Sequence, residues 1–278
     1  MSDIELACHV APWGQNLINA LSDIESAGFR GLEMTLDVVE QFEDRVGVFA
    51  EILEQHHLQL IAITAGGMIW PGMNLDEEVE RNLNTARFLR SAGARLLTLF
   101  PPRPNPEKPI ENELDLLPAA TAYGEIARRT LELDVQTCLH PEAGTHGPDP
   151  GLLQKFIEMA DPEALKVCVD SGFLTEARVK PAQFVKEHRR RLGLVHLRDV
   201  AKGTKRRRTP QGSKEPQRPV TCELGKGDAD LVGLVGQLLR QEYTGWATIE
   251  FDPAGAKPLG DIAKACHRYA EQNLDLVL

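Results

Sequence analysis

The 278-residue sequence predicts a single (β/α)8 barrel. Three observations predict it. Eight short apolar runs alternate with eight longer amphipathic stretches, which is the βα rhythm of a parallel sheet. The runs are nearly continuous in apolar residues, as strands buried on both faces are. Eight such units fill about 250 residues when they close into a barrel. A doubly wound open sheet is the competing layout, and it would advertise a glycine-rich phosphate loop after the first strand. None is present.

The elements follow in order. The first run, residues 5–10, precedes a helical stretch over 16–27 that ends in Ala27-Gly28, with glycine just past the helix end. The run over 31–34 precedes a helix over 38–56. The run over 58–64 precedes a helix over 76–92, with Asp76 as N-cap, Val79 and Leu83 on one face and Ala92-Gly93 at its end. The run over 95–100 leads to a helix over 112–133, inside which Pro118 marks a start, since proline suits a first turn. The runs over 135–140, 165–170 and 192–197 precede helices over 151–160, 181–191 and 229–240. The run over 247–251 precedes a helix over 259–274.

One segment breaks the rhythm. Residues 202–218, after strand 7, carry Lys202, Lys205, Arg206, Arg207, Arg208, Lys214 and Arg218 against Glu215, with several Pro and Gly. They read as a long basic loop. It is either a solvated charge run or a positive rim that draws an anionic substrate to the barrel mouth. No linker or composition break divides the chain, so residues 1–278 read as one domain.

Composition excludes whole classes. A 42% hydrophobic and 26% charged chain is neither collagen-like, disordered nor a disulfide scaffold. No run of 18 apolar residues offers a membrane span. A net charge of −10 argues against a general nucleic-acid binder, because phosphate neutralisation needs a basic face. The cysteines (Cys8, Cys138, Cys168, Cys222, Cys266) are odd in number and form no CxxC. The opening Met1-Ser-Asp-Ile-Glu lacks the basic start and apolar stretch of a secretory signal. A reducing cytoplasm is therefore expected. The sequence is compatible with a monomer or a homo-oligomer.

Active sites of parallel barrels lie at the carboxyl ends of the strands. The fifth run ends Cys138-Leu139-His140-Pro141-Glu142, the sixth Val167-Cys168-Val169-Asp170, the seventh Val195-His196-Leu197-Arg198-Asp199 and the eighth Thr248-Ile249-Glu250-Phe251-Asp252. Side chains alternate between strand faces. Turning Glu142, Asp170, His196 and Glu250 inward sends Leu139, Val169, Leu197 and Ile249 out to the helices. Four polar residues on consecutive strands thus converge on the axis. Two Glu, one Asp and one neutral His make an O/N site for a divalent ion, Mn2+ above all, with Mg2+, Co2+ and Zn2+ as alternatives. Such an ion would hold two vicinal oxygens of a polyol or keto-sugar and polarise its carbonyl, and a nearby carboxylate could take the proton α to it.

These motifs resemble the xylose isomerase-like TIM-barrel superfamily, the sugar phosphate isomerase/epimerase group that includes inosose dehydratases and endonuclease IV. Val195-His196-Leu197-Arg198-Asp199 is similar to its VHLKD strand, Leu224-Gly225-Lys226-Gly227-Asp228-Ala229-Asp230 to its LGxGxxD turn, and Glu242-Tyr243-Thr244-Gly245-Trp246-Ala247-Thr248-Ile249-Glu250 to its GYxGWxxxE strand. Val169-Asp170-Ser171-Gly172 resembles LDTGH, and His140-Pro141-Glu142-Ala143-Gly144-Thr145 the HPHxGT of inosose dehydratases. In the amino half, Ala27-Gly28-Phe29-Arg30-Gly31-Leu32-Glu33 resembles AGyxGxE, and Ala11-Pro12-Trp13-Gly14 is a looser match. The resemblance implies a TIM barrel and a metal site of Glu142, Asp170, His196 and Glu250, with Glu142 and Glu250 also serving as acid and base.

Departures from the family pattern are specific. Phe173 stands where the family has a histidine, and Glu142 where HPHxGT has its second histidine; either Glu142 or His140 then binds. Arg198 replaces the usual lysine and faces inward with His196, offering a planar fork for a carboxylate or phosphate. Asp199 is either a support for the site or a turn residue. Glu33 ends the second strand, within reach of substrate hydroxyls. Trp13, with His9, Met68 and Trp70, either walls the pocket or packs in the core, and His146 is a further candidate in a loop.

Two enzymatic functions follow. The first is a sugar isomerase or epimerase acting on a keto-sugar, an anionic one if the basic loop serves as a rim, through a metal-stabilised enediolate. The second is a hydro-lyase of the inosose dehydratase kind, which begins with the same α-proton abstraction and then expels water from a keto-polyol. Endonuclease IV-like repair needs further histidines that Phe173 and the third and fourth strand ends do not supply. A non-catalytic binding protein is the remaining reading.

Overall fold

The protein is described from a computed structural model covering residues 4–65, 74–101, 117–140, 150–201, 221–253 and 257–276. Eight parallel strands, β1 (Ile4–His9), β2 (Gly31–Thr35), β3 (Gln59–Ala65), β4 (Leu96–Leu99), β5 (Gln136–Leu139), β6 (Leu165–Asp170), β7 (Leu192–Leu197) and β10 (Gly245–Ile249), close into a barrel in the order β1-β10-β7-β6-β5-β4-β3-β2. The expected (β/α)8 TIM barrel is the observed fold. Two further strands, β8 (Asp199–Val200) and β9 (Thr221–Cys222), form a separate antiparallel pair. They flank the basic segment, whose residues 202–218 lie outside the described residues.

Ten helices are described: α1 (Leu17–Ala27), α2 (Asp37–Phe42), α3 (Val46–Gln55), α4 (Leu75–Ser91), α5 (Leu117–Glu132), α6 (Pro150–Met159), α7 (Ser171–Glu176), α8 (Pro181–Glu187), α9 (Leu231–Arg240) and α10 (Leu259–Asn273). Their outward strand neighbours Leu139, Val169, Leu197 and Ile249 are all buried, as the alternation requires. Gly28 caps α1 with a φ of 100°, a left-handed conformation that glycine adopts without steric cost. Among the described residues, no helix is long and apolar enough to cross a membrane.

The structure amends the sequence reading at four places. The expected helix over 38–56 is broken by a 3-10 turn at Glu43–Arg45, which still brings the Phe42 and Phe49 rings to 5.2 Å. Asn74, not Asp76, caps α4: its side-chain oxygen accepts from the Asp76 amide at 3.2 Å. Asp76 instead lies in the first turn, where the helix dipole favours an acid. The helix over 181–191 is α8 followed by a 3-10 turn at Arg189–Arg191. Helix α7 is additional, and Asp170 nucleates it by accepting the Phe173 amide at 2.8 Å.

Strand parity sorts the barrel interior into layers. The floor is apolar: Ala7, Ile61, Ala62, Cys138, Cys168 and Leu194 pack together against Leu96 and Trp246. Directly above it, toward the carboxyl ends, each strand contributes a polar side chain, and these build the site.

Candidate active site

The upper layer runs around the barrel as His9, Glu33, Thr64, Thr98, His140, Asp170, His196 and Glu250, each within the last three residues of one strand or just past its end, with Glu33 two residues before the end of β2 rather than at it. All but Glu250 are among the buried polar groups. A buried polar group demands partners, and these find them in one another. Glu33 Oε2 lies 2.8 Å from His196 Nε2, and Glu250 Oε2 lies 3.2 Å from His196 Nδ1. Glu33 Oε1 accepts from the hydroxyls of Thr64 at 2.6 Å and Thr98 at 3.1 Å. His140 Nε2 lies 3.2 Å from Asp170 Oδ2.

Arg198 joins the two carboxylates. Its Nε stands 3.3 Å from Asp170 Oδ2, and one terminal nitrogen meets Glu250 Oε2. Its backbone is pinned by Ser171, whose hydroxyl donates to the Arg198 carbonyl at 2.7 Å and accepts from the Arg198 amide at 2.9 Å. The guanidinium is thus fixed, inward and desolvated.

Protonation follows from this wiring. Burial alone would raise the carboxyl of Asp170, but the Arg198 guanidinium and the hydrogen bond from His140 hold it below the usual carboxylate range. Burial is likewise outweighed at Glu250, which Arg198 and His196 hold well below that range. Glu33 is also held well below that range against its burial, by His196 above all. Burial would strip the proton from His196, yet the neighbouring Cys168, Glu33 and Glu250 raise its imidazole well above the ordinary histidine range. Both its nitrogens face carboxylates that only accept, so both carry hydrogen. His9 behaves oppositely: burial lowers it, and its Nδ1 accepts the Ala11 amide at 3.1 Å, which leaves the proton on Nε2 toward Thr64.

The donor set suits a divalent cation. Asp170, His196 and Glu250 each offer one ligand atom, and these lie within 4.8 Å of one another. Two carboxylates with an imidazole are the oxygen and nitrogen donors that Mn2+, Mg2+, Co2+ and Zn2+ accept. His140 Nδ1, close by, is buried without a hydrogen-bond partner. His140, Cys168 and His196 are grouped as tightly. Burial pushes the Cys168 thiol up to about 11, so the carboxylate-bearing group is the better seat for an ion at neutral pH. A cation held at His196 Nδ1 would take the place of a proton, as metal binding generally does.

The sequence-derived candidates fall out as follows. Asp170, His196, Glu250, His140 and Arg198 are brought together. Glu142, expected as ligand and acid/base, lies outside the described residues, as do Met68, Trp70 and His146. Glu33 is fully buried and faces His196. Trp13 is buried, donates its indole N–H to Asp23 at 2.8 Å, and sets its ring edge-on to Phe251 at 5.7 Å, next to Glu250. Asp199 is a turn anchor, its carboxylate accepting the amides of Val200, Gly225, Gly227 and Ala229. Thr64 and Thr98 escaped the sequence reading. The strand parity that found Asp170 also turns them inward, but threonine is common in strands and gives no chemical signal of its own.

Comparison with known proteins agrees with this architecture. The profile of a family described as xylose isomerase-like TIM barrel matches residues 21–271. An inosose dehydratase of Clostridium tetani is 27% identical over 165 residues, and the match spans 57% of this chain and 55% of the relative. An inosose dehydratase of Geobacillus kaustophilus is 24% identical over 236 residues, spanning 79% of this chain and 76% of the relative. Among solved structures, the IOLI protein with a bound zinc atom superposes with a TM-score of 0.76 at 13% identity, covering 98% of both chains. An L-ribulose 3-epimerase superposes with a TM-score of 0.72 at 15% identity, covering 98% of this chain and 95% of its own.

Proposed function

The chain belongs to the xylose isomerase-like TIM-barrel family, and from that premise we propose that it is a divalent-metal-dependent enzyme that removes the proton α to the carbonyl of a keto-sugar or keto-polyol, as a sugar isomerase or epimerase. The observation that carries the reading is the convergence of Asp170, His196 and Glu250 on one point at the carboxyl mouth of the barrel. These residues would hold the metal, with Glu142 as the fourth ligand, and Mn2+ is the leading candidate. When bound, the ion would supply Lewis-acid polarisation of the carbonyl and a template for its vicinal hydroxyl.

The chain's own groups do the rest. Glu250, ionised and only partly buried, would take the α-proton, and Glu142 would return one. Arg198 presents a fixed cation beside the reacting region, where it would orient an anionic oxygen of the substrate. The basic segment over 202–218 would add a positive rim for an anionic substrate. His140 steadies Asp170.

The second reading, a hydro-lyase, is favoured by the names of the relatives above. It shares the first proton transfer and differs in expelling a β-hydroxyl as water.

The test is metal analysis of the purified protein, followed by solvent deuterium exchange into a panel of ketoses and keto-polyols. We expect divalent-metal-dependent exchange, and a loss of about 100–10,000-fold in the Glu250→Gln variant. Deuterium at one carbon without water loss marks isomerisation, and an absorbing enone or dione marks elimination. Full turnover by Glu250→Gln on a verified substrate would end the acid/base assignment.

A further inference from the structure

We propose that Glu33 is the positioning residue of the site: it keeps the proton of His196 on Nε2, and so reserves Nδ1 for the cation. The inference rests on the reading of the site given above.

Glu33 is not exposed at all, so it meets no solvent and is poorly placed to meet substrate. Its two oxygens have separate tasks. Oε2 is 2.8 Å from His196 Nε2, while Oε1 receives hydroxyls from Thr64 on β3 and Thr98 on β4. Those hydroxyls are themselves 2.7 Å apart. Three strands therefore cooperate to hold one carboxylate against the back of one imidazole. A carboxylate can only accept, so the Nε2 facing it must donate. The opposite nitrogen points at Glu250, within the group that also contains Asp170. Orienting a ligating histidine through its other nitrogen is a general way to fix ring and tautomer.

The same wiring makes a sharp test. Glu33→Gln keeps size and shape but leaves one oxygen to serve three donors. The two threonine hydroxyls hold that oxygen at the Oε1 position, and the amide NH2 then faces Nε2. Nε2 must become an acceptor and gives up its hydrogen, the one hydrogen left stays on Nδ1 toward Glu250, and the cation loses its ligand. Removing the hydroxyls with Thr64→Val and Thr98→Val lets the amide turn over and accept from Nε2 again.

Mn2+ alone is titrated calorimetrically into wild type, Glu33→Gln and the Glu33→Gln/Thr64→Val/Thr98→Val triple variant. Nitrogen-15 NMR of His196 in the metal-free proteins reads directly whether Nε2 carries hydrogen. We expect Glu33→Gln to weaken Mn2+ by about 10–100-fold and to lose the Nε2 proton. The triple variant regains much of both, which a merely structural loss would not allow. Should Glu33→Gln fail to fold, Thr98→Val leaves the carboxylate in place and is expected to weaken Mn2+ binding with Nε2 still protonated. Wild-type Mn2+ affinity in Glu33→Gln, an unmoved Nε2 proton there, or no recovery in the triple variant overturns the proposal. A wild type that takes up no divalent ion overturns the metal reading instead, while the NMR comparison still decides the role of Glu33.

Discussion

The carboxylate of Asp199 accepts the backbone amide of Gly227 at 2.8 Å, and a β-carbon at Gly227 would fall 2.2 Å from the Asp199 Oδ1 atom. The pair is therefore both bonded and sterically closed. With the amides of Val200, Gly225 and Ala229 also on this carboxylate, the chain leaving β7 is fastened to the turn that follows β9. Asp199→Asn replaces one accepting oxygen with a donor among four donors. Each orphaned buried amide is penalised by its desolvation, so urea unfolding should give a loss of about 2–3 kcal/mol. Divalent-metal stoichiometry should stay at the wild-type value, since Asp199 lies outside the ligand group. A loss of metal with unchanged stability would assign Asp199 to the ion instead.

Gly172 supports Arg198 by having no side chain. A β-carbon there would lie 2.9 Å from Arg198 Cδ and 3.0 Å from Cγ, in the middle of the stem where the side chain cannot swing aside. Gly172→Ala should therefore displace the guanidinium from Asp170 and Glu250. The expected overpacking loss is about 1–3 kcal/mol, with kcat/KM falling about tenfold or more, one tenfold step being about 1.4 kcal/mol of transition-state stabilisation. Gly47, with open space around its β-carbon position, is the control: Gly47→Ala should leave activity unchanged. Equal kinetics in the two variants would separate Gly172 from Arg198.

Much of this was legible in the chain. Apolar runs fixed the eight barrel strands to within two residues, because parallel strands buried on both faces leave little freedom of composition. Parity then turned Asp170, His196 and Glu250 inward, and their ligand atoms do converge. What stayed hidden depends on contacts between residues far apart in sequence. Glu33 and His196 are 163 positions apart, and no local pattern announces that pairing. Asp199 could be placed at a turn but not matched with Gly225 and Gly227. The short α7 was missed because its main cause is the Asp170 cap, a residue already read as a ligand. The break after Phe42 was missed because Val38, Phe42, Val46, Phe49 and Leu53 keep a helical spacing straight through it.

His267 on α10 should make stability pH-dependent. It is buried, with its ring 4.8 Å from that of Phe29, and burial lowers its pKa from the ordinary histidine value of 6.5 despite the pull of Glu271. The unfolded chain then takes up a proton near pH 6.5 that the folded one refuses until lower pH. The neutral ring's stabilisation is complete above about pH 6.5 and is lost as pH falls toward the folded value. Urea unfolding of wild type and His267→Asn between pH 7.5 and 5 tests this. The difference between them should shrink on acidification, at no more than about 1.4 kcal/mol per pH unit. A difference that grows on acidification would show that the histidine is charged in the fold.

Arg198 carries the electrostatics of the metal-free site. It is buried and is the strongest influence opposing the desolvation of both Asp170 and Glu250. Arg198→Met keeps the bulk of the stem and removes the charge, leaving two carboxylates in a dry layer. Breaking a buried ion pair on one side costs about 3–5 kcal/mol, and that loss is expected at pH 7 in the presence of a chelator. The sign of the pH dependence follows. In wild type both carboxyls titrate below their ordinary values of 3.8 and 4.5, so their stabilisation is present above that range and fades as pH falls through the lower folded values. In the variant, burial without the guanidinium pushes both upward, and proton uptake by the folded state relieves the buried charge. The gap between the two proteins should therefore be widest at neutral pH and close steadily below about pH 5. A gap independent of pH would mean that Arg198 acts through packing alone, and the cation beside Glu250 would then have no electrostatic share in the reaction.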